Sequence, residues 1–221
     1  MTFLTQNEKQ RLREQIVAVE KRTRGELVTV IARQSDPYAY IPLLWASLIA
    51  LSLPPLIAFA HPWLFHLAAP WNTTPADFSV DLAMVSLAQL VIFVVLALLL
   101  RWPSLKMRLI PKAVKRRRAA RSAREQFLAQ GVHNTDDRCG VLIFVSVAEH
   151  YVEILADRAI NEKVNQAEWD AIVAAFVAAV KKGEVAAGFE QAVTACGTLL
   201  AIHFPAAPGS RNELPDHLIE F

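Results

Sequence analysis

The sequence predicts an α/β chain, a compact α/β sandwich interrupted by a two-helix transmembrane hairpin. Three observations lead there. Two strand-like runs, Glu26–Ala32 and Gly140–Val147, lie far apart with helical patterns around them. Between them stand two long stretches without an Asp, Glu, Lys or Arg: 37–76, and Leu82 to Leu100. Finally, 54% hydrophobic residues and a mean hydropathy of +0.29 are too apolar for 221 residues of ordinary soluble domain. The net charge of +2 excludes no class of partner by itself, so its distribution decides more than its sum.

The elements follow in order. Thr5-Gln6-Asn7-Glu8 has the form of a capping box, and Leu12, Ile16 and Val19 recur at helical spacing, predicting a helix over about 6–22. Gly25 ends it, and the β-branched run Glu26–Ala32 follows as a strand. Ile41 to Ala60 then supplies the ~20 apolar residues that a hydrocarbon core requires, with Pro54 and Pro55 as a tolerated kink. A second span covers 82–100 around Val91-Ile92-Phe93-Val94-Val95-Leu96. Tyr38, Tyr40, Trp45, Trp63, Trp71 and Trp102 sit where an interfacial aromatic belt belongs. Residues 1–36 carry Lys9, Arg11, Arg13, Lys21, Arg22, Arg24 and Arg33, and 101–124 carry ten more basic residues without an acid. Positive-inside therefore places both ends in the cytoplasm and the loop His61–Val80 outside, making a multi-pass inner-membrane protein with the lipid bilayer as its first partner.

A basic helix over about 115–129 comes next, anchored by Phe127 and Leu128, with Gly131 as its cap. Its Lys115-Arg116-Arg117-Arg118 run reads as the basic flank that sets topology, with headgroup contact following from that position, rather than as a nucleic-acid arm. Gly140–Val147 has the continuous apolar character of a central strand, and Tyr151–Ala156 returns from it as a hairpin. Apolar helices over 166–182 and 185–203 precede a tail, 205–221, expected to be irregular. The domain plan is thus 1–36, a hairpin over 37–104, the remainder of the α/β domain over 105–204, and the tail.

If the two long strands are parallel neighbours, the crossover between them contains the whole hairpin. The strand hairpin would then bring Asn134, Asp136 and Asp137 to the same sheet edge as Asp157. Asp136, Asp137 and Asp157 are the candidate ligands of a hard cation, Ca²⁺ or Mg²⁺. Solvated turn residues are the competing account, since Asp favours turns on its own. Other chemistry is weaker. Glycine-rich phosphate loops are missing, and Cys139, although drawable beside His133 or His150 as a nucleophile, enters a buried strand and suits a core role. Glu213, Asp216 and His217 read as solvated tail residues.

The residues from Gly131-Val132-His133 through Asp137-Arg138-Cys139-Gly140 to Ser146, then His150–Ile154 and Ala156-Asp157, resemble the TPM domain. Thr23-Arg24-Gly25-Glu26-Leu27-Val28 is similar to that domain's opening turn and first strand. The resemblance implies a compact α/β sandwich. It also brings divalent-cation binding and acid phosphatase activity, known from thylakoid-lumen members linked to photosystem repair, beside many bacterial membrane members. Asp137 and Asp157 fall where the family places acidic residues, whereas Asp136 is added by proximity. Unlike the lumenal members, this chain splits the domain with two apolar spans. The reading is a membrane-anchored interaction or accessory module with a protein partner and no nucleic acid. The alternative is a metal-dependent phosphatase clamped by Arg138 and Arg158.

Overall fold

The computed structural model describes residues 3–68, 75–135, 137–207 and 213–221. In chain order the elements are α1 (Gln6–Glu20), β1 (Glu26–Ala32), α2 (Tyr40–Ala68), α3 (Pro75–Leu99), α4 (Pro103–Leu109), α5 (Lys112–Ala129), β2 (Gly140–Ser146), β3 (Tyr151–Ala156), α6 (Arg158–Asn161), α7 (Gln166–Lys181), α8 (Val185–His203) and β4 (Ile219–Glu220). They fall into two units, one made of 1–36 with 112–221 and the other of 37–111.

The first unit is built on a sheet of order β3-β2-β1-β4. β1 runs parallel to β2, Glu26 opposite Gly140 through Ala32 opposite Ser146, and β3 returns antiparallel along β2. Every residue of β1 and β2 is buried, the pattern of central strands covered on both faces. One face carries Leu27, Ile31, Ile143 and Val145 against apolar stripes of α1, α7 and α8. The opposite face carries Val28, Val30, Leu142 and Phe144 under α5.

The caps explain where the helices begin. Thr5 and Glu8 close the expected box on α1, with the Thr5 backbone N–H donating to Glu8 Oε2 at 2.6 Å. Asn165 and Glu168 form a second box on α7. Gly131 adopts the left-handed conformation, φ 70°, just past α5. Inside the larger core, Phe176 of α7 meets Phe189 of α8 edge to face at 4.9 Å. Gly197 lets α8 close onto α1, because a Cβ there would strike the Val19 methyls.

Several elements differ from expectation. The tail closes the sheet: Leu218 is buried, Ile219 pairs with Val30, and the Arg33 N–H donates to the Phe221 carbonyl at 2.7 Å. Two residues of strand held by backbone bonds leave no hydrophobic period to read. In α5 the buried positions are Ala119, Ser122 and Ala123, with Phe127 packed against that face, whereas Leu128 is 59% exposed. Phe127 continues the i, i+4 row of Ala119 and Ala123; Leu128 lies about 100° round the helix from it.

In the second unit α2 continues as helix through Pro54 and Pro55 for 29 residues, and α3 spans 25. His61–Ala68 and Pro75–Val80 are therefore helical rather than loop, while Trp71, Asn72, Thr73 and Thr74 lie outside the described residues. The two helices pack together, and the small residues Ala46 and Ala50 of α2 are buried. A crevice between them is lined in part by Ser47, Ser86 and Gln89. Leu43, Leu48, Leu51, Leu56 and Phe59 of α2 are exposed, as are Met84, Leu87, Leu90 and Leu98 of α3. Among the described residues, one helix meets the length and composition of a membrane span taken as a whole, and that is α8, 39% buried; Tyr40–Leu53 and Met84–Leu99 are shorter apolar stretches. Phe189, Val193, Cys196 and Leu200 of α8 lie at the centre of the α/β core, which accounts for its apolar composition.

Candidate functional site

Polar chemistry collects at the sheet edge where β1 and β2 begin and β3 ends. The loop before β2 is pinned by Thr135, whose hydroxyl accepts the Cys139 N–H at 3.0 Å, and Arg138 takes a left-handed φ of 52° to make the turn. That turn leaves Asp137 half exposed, where Arg24 from the α1–β1 turn reaches it at 3.2 Å. β3 ends at Ala156, and the Asp157 N–H donates to the Gly140 carbonyl at 2.9 Å, so the two expected acids flank the β2–β3 pair. Asp157 caps α6, accepting the Arg158 N–H on Oδ1 at 2.6 Å. Its other oxygen, Oδ2, is buried, and no hydrogen-bond donor among the described residues reaches it. Asp136 lies outside the described residues.

Cys139 lies beside both acids. Burial, and then the negative charge of Asp137, push its thiol up to about 11, with Asp157 adding to the effect and Arg24 and Lys163 opposing it. The thiol stays protonated and hydrogen-bonded to the Asp137 carbonyl at 3.1 Å, in keeping with a core residue. Arg158, expected as a clamp, turns instead to Glu162 at 2.9 Å and is largely exposed. Among the described residues no group of three His, Cys, Asp or Glu side chains converges in a way that could hold a metal by itself.

A second cluster stands where β1 begins. Glu20, at the end of α1, accepts the Leu27 N–H on Oε1 at 3.0 Å. Glu26, 5% exposed, faces Glu213 and Asp216 from the tail. Burial, together with the neighbouring charges of Glu26 and Asp216, pushes Glu20 up to about 8. Burial pushes Glu26 up to about 7, with Glu213 and Asp216 adding to it. One oxygen of each, Oε2, is buried with no donor among the described residues. The tail acids expected in solvent are thus gathered against the buried Glu26 and the half-buried Glu20. Glu26 at the head of a buried strand was the available signal, since a carboxylate there needs a neighbour to answer it.

At the opposite edge, Glu149 ties the strand ends together. The Ser146 hydroxyl donates to its carboxylate, as does the Ser35 backbone N–H at 3.2 Å.

A family model described as TPM domain matches residues 108–199. Residues 108–199 are similar to the TPM domain. The matched range runs from the end of α4 to near the end of α8, so β1 and β4 of the same sheet lie outside it. The chain is also similar in fold to the BA42 protein from the psychrophilic bacterium Bizionia argentinensis, whose NMR structure aligns with a TM-score of 0.58. That alignment has 18% identity and covers 100% of this chain and 97% of that one. No curated protein matches the chain.

Proposed function

We propose that the α2–α3 hairpin fixes this chain in the bacterial inner membrane with both ends in the cytoplasm, and that the TPM domain works there as an interaction module for a protein partner. The observation that carries the reading is the exposed surface of the hairpin. Leucines, valines and Phe59, 88% exposed, cover the outward faces of α2 and α3. Each large apolar side chain left in water forgoes roughly 1.5–3 kcal/mol, a loss that a hydrocarbon surround removes. Basic residues on both flanks and none within support the orientation.

A divalent cation, Mg²⁺ or Ca²⁺, at Asp137 and Asp157 is the second part of the proposal. The buried, undonated Oδ2 of Asp157 supports it, as does the action of both carboxylates on one thiol. Two carboxylates suit an ion that keeps several waters rather than an all-protein cage. A bound ion would supply charge to organise the edge. Arg158 pairs with Glu162 in solvent, off the site, and Arg24 is taken up by Asp137; a phosphoryl-transfer site needs cationic groups converging on the phosphate, so the arrangement favours a binding surface.

Alkaline carbonate extraction of cell membranes, with the full chain beside a variant lacking 37–111, tests the anchor. The full chain stays in the pellet and the variant moves to the supernatant. Release of the full chain by carbonate would sink the proposal.

A further inference from the structure

α5 holds seven basic residues, Lys112, Lys115, Arg116, Arg117, Arg118, Arg121 and Arg124, against Glu125 alone, in a chain whose net charge is only +2. The rest of the chain is therefore net acidic, and this helix concentrates the positive charge. Its inward row, Ala119, Ser122 and Ala123, packs on the sheet. Opposite it, Arg117, Arg121, Arg124 and Leu128 recur at i, i+4, i+7 and i+11 and are all exposed. Arg118 is answered by Asp36 at 3.3 Å, whereas Arg121 pairs with Glu125 on its own helix, exposed on both sides. Such a pair contributes little and exchanges readily for another anion.

We propose that this stripe rests on the headgroup layer of an anionic bilayer, Arg117, Arg121 and Arg124 meeting lipid phosphates and Leu128 entering between the headgroups. The inference rests on the membrane anchor proposed above. The anchor brings α5 to a lipid surface, because only residues 100–111 separate the end of α3 from Lys112. Charge complementarity argues for that occupant, since anionic leaflets attract basic segments close to the surface. Leu128 argues for it too, because an exposed leucine in register with arginines gains from an acyl boundary. The contact would hold the TPM domain in one orientation against the membrane.

The test uses the full chain, labelled with a fluorophore at Leu128→Cys, in vesicles of phosphatidylcholine with or without phosphatidylglycerol, carrying a headgroup quencher. Cys139 and Cys196 are buried, so the new thiol takes the label. Quenching should be about threefold stronger in the anionic vesicles. It should fall to the neutral level at 1 M salt, where the screening length is about 3 Å, and in Arg117→Gln/Arg121→Gln/Arg124→Gln. Equal quenching in both lipids, or quenching that the triple variant retains, overturns the proposal; so does quenching relieved by added duplex DNA at physiological salt. Flotation reads the anchor separately. A chain that floats with both vesicle types but is quenched in neither keeps the hairpin and loses the stripe, whereas one that floats with neither loses both.

Discussion

Glu20 and Glu26 sit where a negative charge is costly, with Asp216 and Glu213 beside them, and their folded values of about 8 and 7 stand above the ordinary 4.5. A raised acid means that the folded chain binds more protons than the unfolded one between those limits. The stability from the neutral form is full below about 4.5 and is lost as pH rises through 7 to 8. The melting temperature should therefore fall between pH 5 and pH 8. In Glu20→Gln/Glu26→Gln the slope should flatten, and a double variant with an unchanged slope would place the titration elsewhere. A second expectation concerns Asp137 and Asp157. Melting with Ca²⁺, Mg²⁺, Mn²⁺ or Zn²⁺ should show a cation-specific rise, about 2.7 kcal/mol at a hundredfold excess over the dissociation constant, that Asp137→Asn/Asp157→Asn loses. An unshifted wild type removes the cation from the proposal. The positions of Asp137 and Asp157 beside one strand pair were legible in the sequence, because a hairpin fixes its own geometry. The meeting of Glu20 with Asp216 was not, since tertiary closure alone brings the two ends of the chain together.

At the level of elements, periodicity carried most of the reading. Leu12, Ile16 and Val19 face the core as their spacing requires, and both long strands begin where expected. What escaped was short or capped by side chains: α6, begun by Asp157, and β4, held by backbone pairing with β1. Leu128 shows the limit of composition, since a large apolar residue one step off a buried row is turned outward. Helix packing supplies a sharp test. Gly197 lies flush against Val19, so Gly197→Ala must separate α8 from α1 and should cost about 1–3 kcal/mol by chemical denaturation. Gly197→Ala/Val19→Ala should regain part of that loss. A neutral Gly197→Ala would mean that the two helices approach less closely.

The whole molecule is a split domain with a second unit inserted between β1 and α5. Because the first unit holds its own core on both sheet faces, replacing 37–111 with a Gly-Ser linker should leave a chain with mixed α/β circular dichroism and a single cooperative melt. A molten chain would show that the insert is needed for folding. The parallel pairing of β1 with β2 also has a cost in time. Residues 33–139 must be synthesised after β1 before its partner exists. At about 5–20 residues per second, that leaves a strand buried along its whole length in the folded chain unpaired for roughly 5 to 20 s. The apolar insert is translated within the same interval. Biogenesis of this chain thus demands that something shield β1 during the delay, and a ribosome stalled just before residue 140 would hold the nascent chain in its most aggregation-prone form.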